Sequence, residues 1–279
     1  MFAPKPKGPP LSPIFEVPAM ALVLFLREPS RLVATATAGT LTASMFGALF
    51  EPETVEQQLA WGVLVASVAV ALLAPAAYFV MCALGRRPLT VSTGIFALLT
   101  FGPKFFAIGL LFGFATLPLV VAPFLAPIAI YVLTRLSLTG MAVLAEDNTL
   151  WGAFARSWQL VEGRWWRTFA LQLMVGIFAF SLLSIANLIG HSLGSAPVTL
   201  VLTALAHGVA APLIAGVDLV LFNDYRFADK EAESAIAPKE DGDDDAEPSA
   251  GDAPEEPSTE APTSGEETGG QTGEESARE

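Results

Sequence analysis

The feature that most constrains this chain is the length of its uncharged stretches. Residues 168–217 contain no Asp, Glu, Lys or Arg, and neither do residues 105–134. A helix needs about 20 apolar residues to cross the hydrocarbon core of a bilayer, whereas a helix in a soluble protein is rarely longer and keeps a polar face. A large soluble core is the alternative, and stretches this long disfavour it. The sequence therefore predicts an all-α integral membrane protein.

Charge divides the chain into segments of different character. The net charge is −13, but residues 229–279 alone hold 18 acidic and three basic residues, no aromatic residue and a single large aliphatic residue, Ile236. Such a segment cannot bury enough apolar surface to offset its ordering entropy, so we predict a disordered acidic C-terminal tail. The proline-rich residues 1–13 are predicted to be an irregular cytosolic segment, which leaves residues 14–228 as the membrane domain.

Apolar runs and their polar breaks predict six transmembrane helices. The predicted spans cover residues 32–50, 59–84, 105–122, 124–143, 168–189 and 197–222. Gly39, Ala43 and Gly47 recur every fourth residue in the first span, which favours close helix contact. Gly109 and Gly113 form a GxxxG pair in the third span. Pro75 predicts a kink in the second span.

Basic residues predict the orientation of these spans. Lys and Arg occur before the first span, between spans two and three, between spans four and five, and after span six, while the alternate loops hold none. The positive-inside rule then places both termini in the cytoplasm, in a bacterial inner membrane.

A local pattern recurs three times along the chain. At residues 26–31, 99–104 and 160–165 a short apolar stretch is followed by a Gly or Pro break, a basic residue and then a span. We expect a threefold repeat of an interfacial elbow helix plus a helical hairpin. The third elbow, about 150–161, has amphipathic spacing and is predicted to lie on the membrane, capped by Asp147 or Thr149.

Tryptophan is concentrated around this third elbow. Four of the five tryptophans lie within 16 residues, next to three arginines: Trp151, Trp158, Trp165 and Trp166, beside Arg156, Arg164 and Arg167. Indole and guanidinium groups together are typical of a bilayer interface. An aromatic cage for a ligand is the alternative.

Residues 145–167, AEDNTLWGAFARSWQLVEGRWWR, resemble the signature of a large, uncharacterised bacterial membrane family. Its elbow reads A-F-x-R-S-W-x-L-V-x-G-x-W-W-R, and it is often labelled the membrane domain of glycerophosphodiester phosphodiesterases. Residues 222–226, FNDYR, are similar to its terminal Y-x-D-x-R element. The resemblance covers about 110–226 and implies a polytopic membrane protein. It does not imply phosphodiesterase activity, since that label comes from fusions to a hydrolase domain that this chain does not contain.

Polar residues at membrane depth are candidates for function because they are costly there. Arg135 and Asp218 are predicted at similar depths, and a structural ion pair between them is expected. The alternatives are a transport site, or an Arg135 side chain that reaches the interface alone. His207 is predicted near the midplane, where a hydrogen-bonded helix contact is favoured over a proton relay.

A second group of candidates is expected at the cytosolic face. Oppositely charged residues collect there: Glu146, Asp147, Arg156, Arg164, Asp224 and Arg226. The mixture of signs predicts a salt-bridge network between helices, and lipid-phosphate binding by the arginines is the alternative.

The sequence contains no motif that indicates catalysis. There is no P-loop, dinucleotide fingerprint or G-x-S-x-G motif, and neither the lone Cys82 nor the two histidines have ligand spacing, so we predict no cofactor, metal or enzymatic activity. Nucleic-acid binding is disfavoured because the solvated tail is acidic.

We expect a structural, scaffold or regulatory membrane protein whose partner is the lipid bilayer. A basic protein partner for the tail is a minority alternative. The alternative function is a small transporter or lipid-handling permease built around Arg135, Asp218 and His207. The sequence predicts no oligomeric state.

Overall fold

The computed structural model describes residues 11–146 and 149–236, and this part of the chain is helical throughout. Ten α-helices are connected by short loops and one 3-10 turn at Pro123–Leu125. In chain order they are α1 Glu16–Arg27, α2 Pro29–Gly47, α3 Val55–Leu72, α4 Ala74–Leu84, α5 Val91–Val121, α6 Ala126–Leu136, α7 Thr139–Glu146, α8 Leu150–Val161, α9 Trp165–Ser192 and α10 Ala196–Ile236.

Five helical segments are long and apolar enough to cross a membrane. They are Val55–Leu84, Val91–Leu117, Pro123–Glu146, Trp165–Ser192 and Ala196–Glu231. Each contains or overlaps one of the predicted spans from the second to the sixth. The expectation of a helical membrane protein is confirmed at this level.

The first predicted span, 32–50, corresponds to α2, which is not among those five. Its 19 residues include several Thr and Ser, which lower its hydropathy. Leu32, Ala36, Gly39 and Ala43 form its buried stripe, which follows the helical period. A count of six spans is therefore not confirmed by length and composition alone.

The second predicted elbow helix is not a separate element. Residues 95–101 belong to α5, which continues without interruption through Gly102 and Pro103. Aromatic packing against α4 holds this segment in line, because the Tyr78 ring stacks on Phe101 at 5.7 Å and meets the edge of Phe96 at 6.4 Å. Only α1 and α8 are separate elbow helices among the described residues, so the threefold repeat is not confirmed.

Two predicted local features are confirmed. The second span breaks at Leu73, two residues before Pro75, and so divides into α3 and α4. Thr149 caps α8 by accepting a hydrogen bond from the Gly152 amide at 3.2 Å. The other cap candidate, Asp147, lies outside the described residues.

The boundary of the predicted tail differs from the structure. The composition predicts that the tail begins at Asp229, but α10 continues to Ile236. The helix extends because Asp229 binds two arginines of the membrane domain, which composition alone does not reveal. Residues 237–279 of the predicted tail and residues 1–10 of the predicted N-terminal segment lie outside the described residues.

Close packing of α3 against α5 depends on the GxxxG pair. A Cβ atom built on Gly109 would lie 2.7 Å from the Cα of Ser67, and one on Gly113 would lie 2.7 Å from a methyl group of Val63. Small residues at such positions let two helix backbones approach in a membrane, where dispersion contacts drive association. The GxxxG pair of the sequence therefore lies at a close contact between α3 and α5.

We expect the Gly109→Ala substitution to destabilise the protein by about 1–3 kcal/mol, because the new methyl group overlaps the α3 backbone. Gly176→Ala in α9 is the matched control, since nothing lies within 4 Å of its Cβ position. Unfolding by SDS in neutral detergent micelles measures both variants. Equal stability of the two would contradict the packing described for Gly109.

Candidate functional site

Charged side chains from α7, α8, α9 and α10 meet at one end of the bundle. Asp229 of α10 accepts from Nη2 of Arg164 at 3.1 Å and lies 3.8 Å from Nη1 of Arg156. Glu146 of α7 lies 3.4 Å from Nε of Arg156 and 3.6 Å from Nε of Arg226. These two carboxylates therefore link four elements of the fold.

Asp224 forms the second part of this network. Its Oδ2 accepts from Nη2 of Arg167 at 3.1 Å, and its Oδ1 accepts from the Ser12 hydroxyl at 3.1 Å. The same Arg167 nitrogen donates to the Ser12 carbonyl at 2.6 Å. This set of contacts fastens the N-terminal segment to α9 and α10.

The Tyr225 ring lies at the centre of the network and is fully buried. The guanidinium carbons of Arg164 and Arg167 lie 5.0 Å and 5.5 Å from its centroid, within cation–π range. Its hydroxyl shares a 3.0 Å hydrogen bond with Thr168. The ring thus contacts both arginines of the network.

The network contains every described residue that the sequence predicts at the cytosolic face. It also contains five residues that were not predicted there. The predicted residues are Glu146, Arg156, Arg164, Asp224 and Arg226. The missed residues are Ser12, Arg167, Thr168, Tyr225 and Asp229. Tyr225 and Asp229 follow Asp218 and Phe222 on one face of α10 at helical spacing, and that period is a signal that could have found them.

Arg135 and Asp218, the pair expected at membrane depth, have other partners. Arg135 donates from Nε and Nη2 to the Tyr131 hydroxyl at 3.1 Å and 2.9 Å, and from Nη1 to the Trp158 carbonyl at 3.0 Å. It also lies 4.8 Å from the Trp158 ring. The predicted Arg135–Asp218 pair is not formed, because Arg135 is directed toward α8.

The positions of the tryptophans are more consistent with a membrane interface than with an aromatic cage for a ligand. Trp151 and Trp166 are 77% and 75% exposed, as expected of rings that meet lipid headgroups. Trp165 stacks on Phe169 and packs against Tyr131. The aromatic cluster around Tyr131 and Trp158 already holds the guanidinium of Arg135.

His207 makes its hydrogen bond within its own helix. Its Nδ1 lies 3.0 Å from the carbonyl of Thr203, one turn earlier on α10. The Thr203 hydroxyl is 3.5 Å from the Asn187 side-chain oxygen on α9, so the hydrogen bond to the neighbouring helix comes from Thr203 rather than from His207.

A cavity of about 330 Å³ lies deeper in the bundle than the network. Its walls come from α3, α4, α5, α7 and α10, and they are almost entirely apolar: Val70, Leu73, Ala76, Ala77, Phe105, Ile108, Gly109, Phe112, Gly140, Met141, Ala211, Ile214 and Ala215, with Ser137 and Asp218 as the polar members. Asp218 is the only ionisable residue among these lining residues.

The Asp218 carboxyl group is only partly satisfied. Its Oδ1 accepts a hydrogen bond from the side-chain amide of Gln172 on α9. No hydrogen bond or ion pair of Oδ2 is present within the described part of the chain, and Asp218 makes no ion pair there. A carboxyl group in apolar surroundings without a cationic partner is costly, so Asp218 is the strongest candidate for a ligand-binding residue.

Comparison with protein-family models, curated proteins and solved structures finds no match for this chain. The described residues also contain no cluster of His, Cys, Asp or Glu that could hold a metal ion. The candidate site is therefore defined by the geometry of the Asp218 cavity.

We expect Asp224→Asn to destabilise the protein by about 2 kcal/mol, because it leaves the guanidinium of Arg167 without its ionic partner. The side chains of this pair are only 12% and 17% exposed. Glu28→Gln is the control, since the Glu28–Arg31 pair is 42% and 55% exposed and its loss should change stability by less than about 1 kcal/mol. SDS unfolding of both variants in micelles compares them. A smaller loss for Asp224→Asn than for Glu28→Gln would contradict the network's stabilising role.

Proposed function

We propose that this chain is a non-enzymatic, multi-pass membrane protein that binds an amphipathic small molecule in the Asp218 cavity. The observation that carries the proposal is a single carboxyl group in an otherwise apolar intramembrane cavity. This favours the lipid-handling alternative over a purely structural role, with Asp218 as the binding residue. Arg135 and His207, the other two residues of the expected intramembrane site, make their hydrogen bonds to Tyr131, Trp158 and Thr203 instead. They are therefore not part of the proposed site.

The dimensions and chemistry of the cavity support this proposal. Small-molecule sites are typically 300–1,000 Å³ in volume, mostly apolar, and contain a few polar groups that fix orientation. At about 330 Å³, the cavity falls at the small end of that range. Its lining fits a hydrocarbon chain or ring rather than a sugar or nucleotide.

Asp218 defines the polar group of the proposed ligand. An amine would form a charge-assisted hydrogen bond with the carboxylate, and a hydroxyl would donate a neutral one, so the ligand carries at least one donor. An anionic group is disfavoured because it would lie against the carboxylate in a medium of low dielectric constant. The ligand class is therefore an apolar molecule with an amine or hydroxyl group.

We further propose a six-span topology in which α2 is the first span and both termini are cytoplasmic. In support, α2 has no charged residue after Arg31 and packs along α10 and α3. The charged network on α8 to α10 would then lie at the cytoplasmic face with the basic loops, as the positive-inside rule predicts. The likeness of residues 145–167 to the phosphodiesterase-associated membrane family is consistent with this topology, and it adds no activity.

A structural scaffold is the second candidate, and the network is the observation that favours it. Its carboxylates all pair with arginines, and the contacts join four helices and the N-terminal segment. Such an arrangement stabilises one conformation without binding a ligand. A basic protein partner for the acidic tail stays a prediction that falls on residues outside the described part.

The binding proposal predicts that a long-chain amine stabilises the protein. We expect dodecylamine at saturating concentration to raise the melting temperature in neutral detergent by about 5 °C. Methyl dodecanoate, which has the same chain and no donor, should raise it much less. Asp218→Asn should lose most of the response to the amine because the charge is gone.

Two further variants separate binding in the cavity from a general effect of amines on micelles. Ala211→Phe places a ring in the cavity and should abolish the response to the amine. Val201→Phe is the control, because Val201 lies on the same helix but is 47% exposed and does not line the cavity. This variant should retain the response. An equal response in Asp218→Asn and wild type, or no response in wild type, would favour the scaffold instead.

The topology proposal predicts that reporters at both termini are active in the cytoplasm. A green fluorescent protein fused after Glu279 should fluoresce, one fused before Met1 should also fluoresce, and alkaline phosphatase at either position should be inactive. A five-span arrangement without α2 would place the N-terminus on the opposite side. Alkaline phosphatase activity of the N-terminal fusion would contradict the six-span topology.

A further inference from the structure

A basic pocket lies away from both the charged network and the Asp218 cavity. It is formed where α1 meets α2 and where α4 leads into α5, and it has a volume of about 530 Å³. Three arginines line it, Arg27, Arg86 and Arg87, together with Glu28, Ala83, Pro88 and Leu89. Arg27 is held in place because its Nη1 donates to the Ala83 carbonyl at 2.8 Å.

The charge of the pocket is strongly positive. Its one carboxylate, Glu28, lies 3.6 Å from Nη1 of Arg31, which is not one of the residues that line the pocket. The guanidinium groups of Arg86 and Arg87 are exposed and have no hydrogen bond or ion pair with any described residue. Two arginines beside a third that is already fixed provide donors for an anion.

The backbone at Arg86 indicates that its side chain has a role. Arg86 has a φ of +53°, and it is the only non-glycine residue with a positive φ in the described part of the chain. It occupies the left-handed position that ends α4, where the Arg87 amide donates to the Cys82 carbonyl at 2.9 Å. Glycine is strongly preferred at this position because it has no Cβ. Here the glycine comes one residue earlier, at Gly85, which has a φ of −78°.

An apolar groove of about 480 Å³ adjoins the basic pocket. It runs between α2, α4 and the start of α5, and most of its lining is apolar: Ala34, Ala38, Pro75, Phe79, Leu89, Val91, Ile95 and Leu98, with Arg31, Thr35, Thr90 and Gly94. Leu89 borders both the pocket and the groove. The pocket and the groove together form one site with a cationic end and an apolar end.

We propose that this pocket and groove bind one anionic phospholipid. The phosphate is held by Arg27, Arg86 and Arg87, and an acyl chain lies in the groove against Phe79 and Ile95. Guanidinium groups bind phosphate oxygens in pairs with favourable geometry, and basic pockets between transmembrane helices bind anionic headgroups. The site is separate from the Asp218 cavity, and the proposal does not rest on the function assigned to that cavity.

The experiment measures lipid binding by the full-length protein in neutral detergent with native mass spectrometry. We expect dioleoylphosphatidylglycerol to bind at least about tenfold more tightly than dioleoylphosphatidylcholine, because only the former carries a net negative charge. Arg86→Gly should weaken phosphatidylglycerol binding several-fold while raising the melting temperature of the lipid-free protein, because glycine relieves the left-handed backbone. A merely structural Arg86 would not produce this opposite pair of effects.

Further variants and one soluble competitor complete the test. Arg87→Gln, which leaves the backbone unstrained, should weaken binding as well, and Thr35→Phe should weaken it by filling the groove. Lys230→Gln removes the positive charge of an exposed residue on α10 and should leave phosphatidylglycerol binding unchanged. Equal loss in Lys230→Gln would show general charge attraction and overturn the proposal. Displacement of the lipid by millimolar glycerol 3-phosphate would show a soluble phosphate site without the groove, and would also overturn it.

Discussion

The absence of water in the bilayer core is the constraint on which this structure depends. A polar group at that depth has no solvent to bind and must find a partner within the protein. Most side chains of the described helices comply: hydroxyls such as Ser67 and Thr134 donate to the carbonyl one turn earlier, and His207 does the same. Two buried side-chain atoms of the described residues have no hydrogen-bond partner, Oγ1 of Thr37 and Nη1 of Arg167. Asp218 differs from these because it is a carboxyl group that has one amide partner and faces an apolar cavity. That setting is the reason to assign a function to it.

The charged network provides partners for charged side chains at the end of the bundle. Arg164 and Arg167 lie near the start of α9 and are drawn to Asp229 and Asp224 on α10. The fully buried Tyr225 ring lies within cation–π range of both guanidinium groups. The pairing fixes the register of α9 against α10, and Glu146 extends it to α7 and α8.

The sequence predicted the helical membrane class because long uncharged runs have few other solutions. The Pro75 break and the Thr149 cap were also local enough to predict. Two predictions were wrong because packing between distant residues decides the outcome. Arg135 was expected at Asp218 from depth alone, yet it faces Tyr131 and Trp158. The separate second elbow failed because aromatic packing against Tyr78 overrides the Gly-Pro break in α5.

The cavity itself could not be predicted, because its lining residues lie on segments that meet only in the folded bundle. Its predicted depth makes Asp218 a candidate, but most of its neighbours in the cavity lie on α3, α4, α5 and α7, which are distant from it in sequence. The most direct measurement of this account is an experimental structure of the protein in lipid nanodiscs. The account predicts density for an elongated molecule in the cavity, with a polar atom within hydrogen-bonding distance of the Asp218 carboxyl group. A collapsed cavity, or an arginine or lysine side chain paired with Asp218, would contradict it.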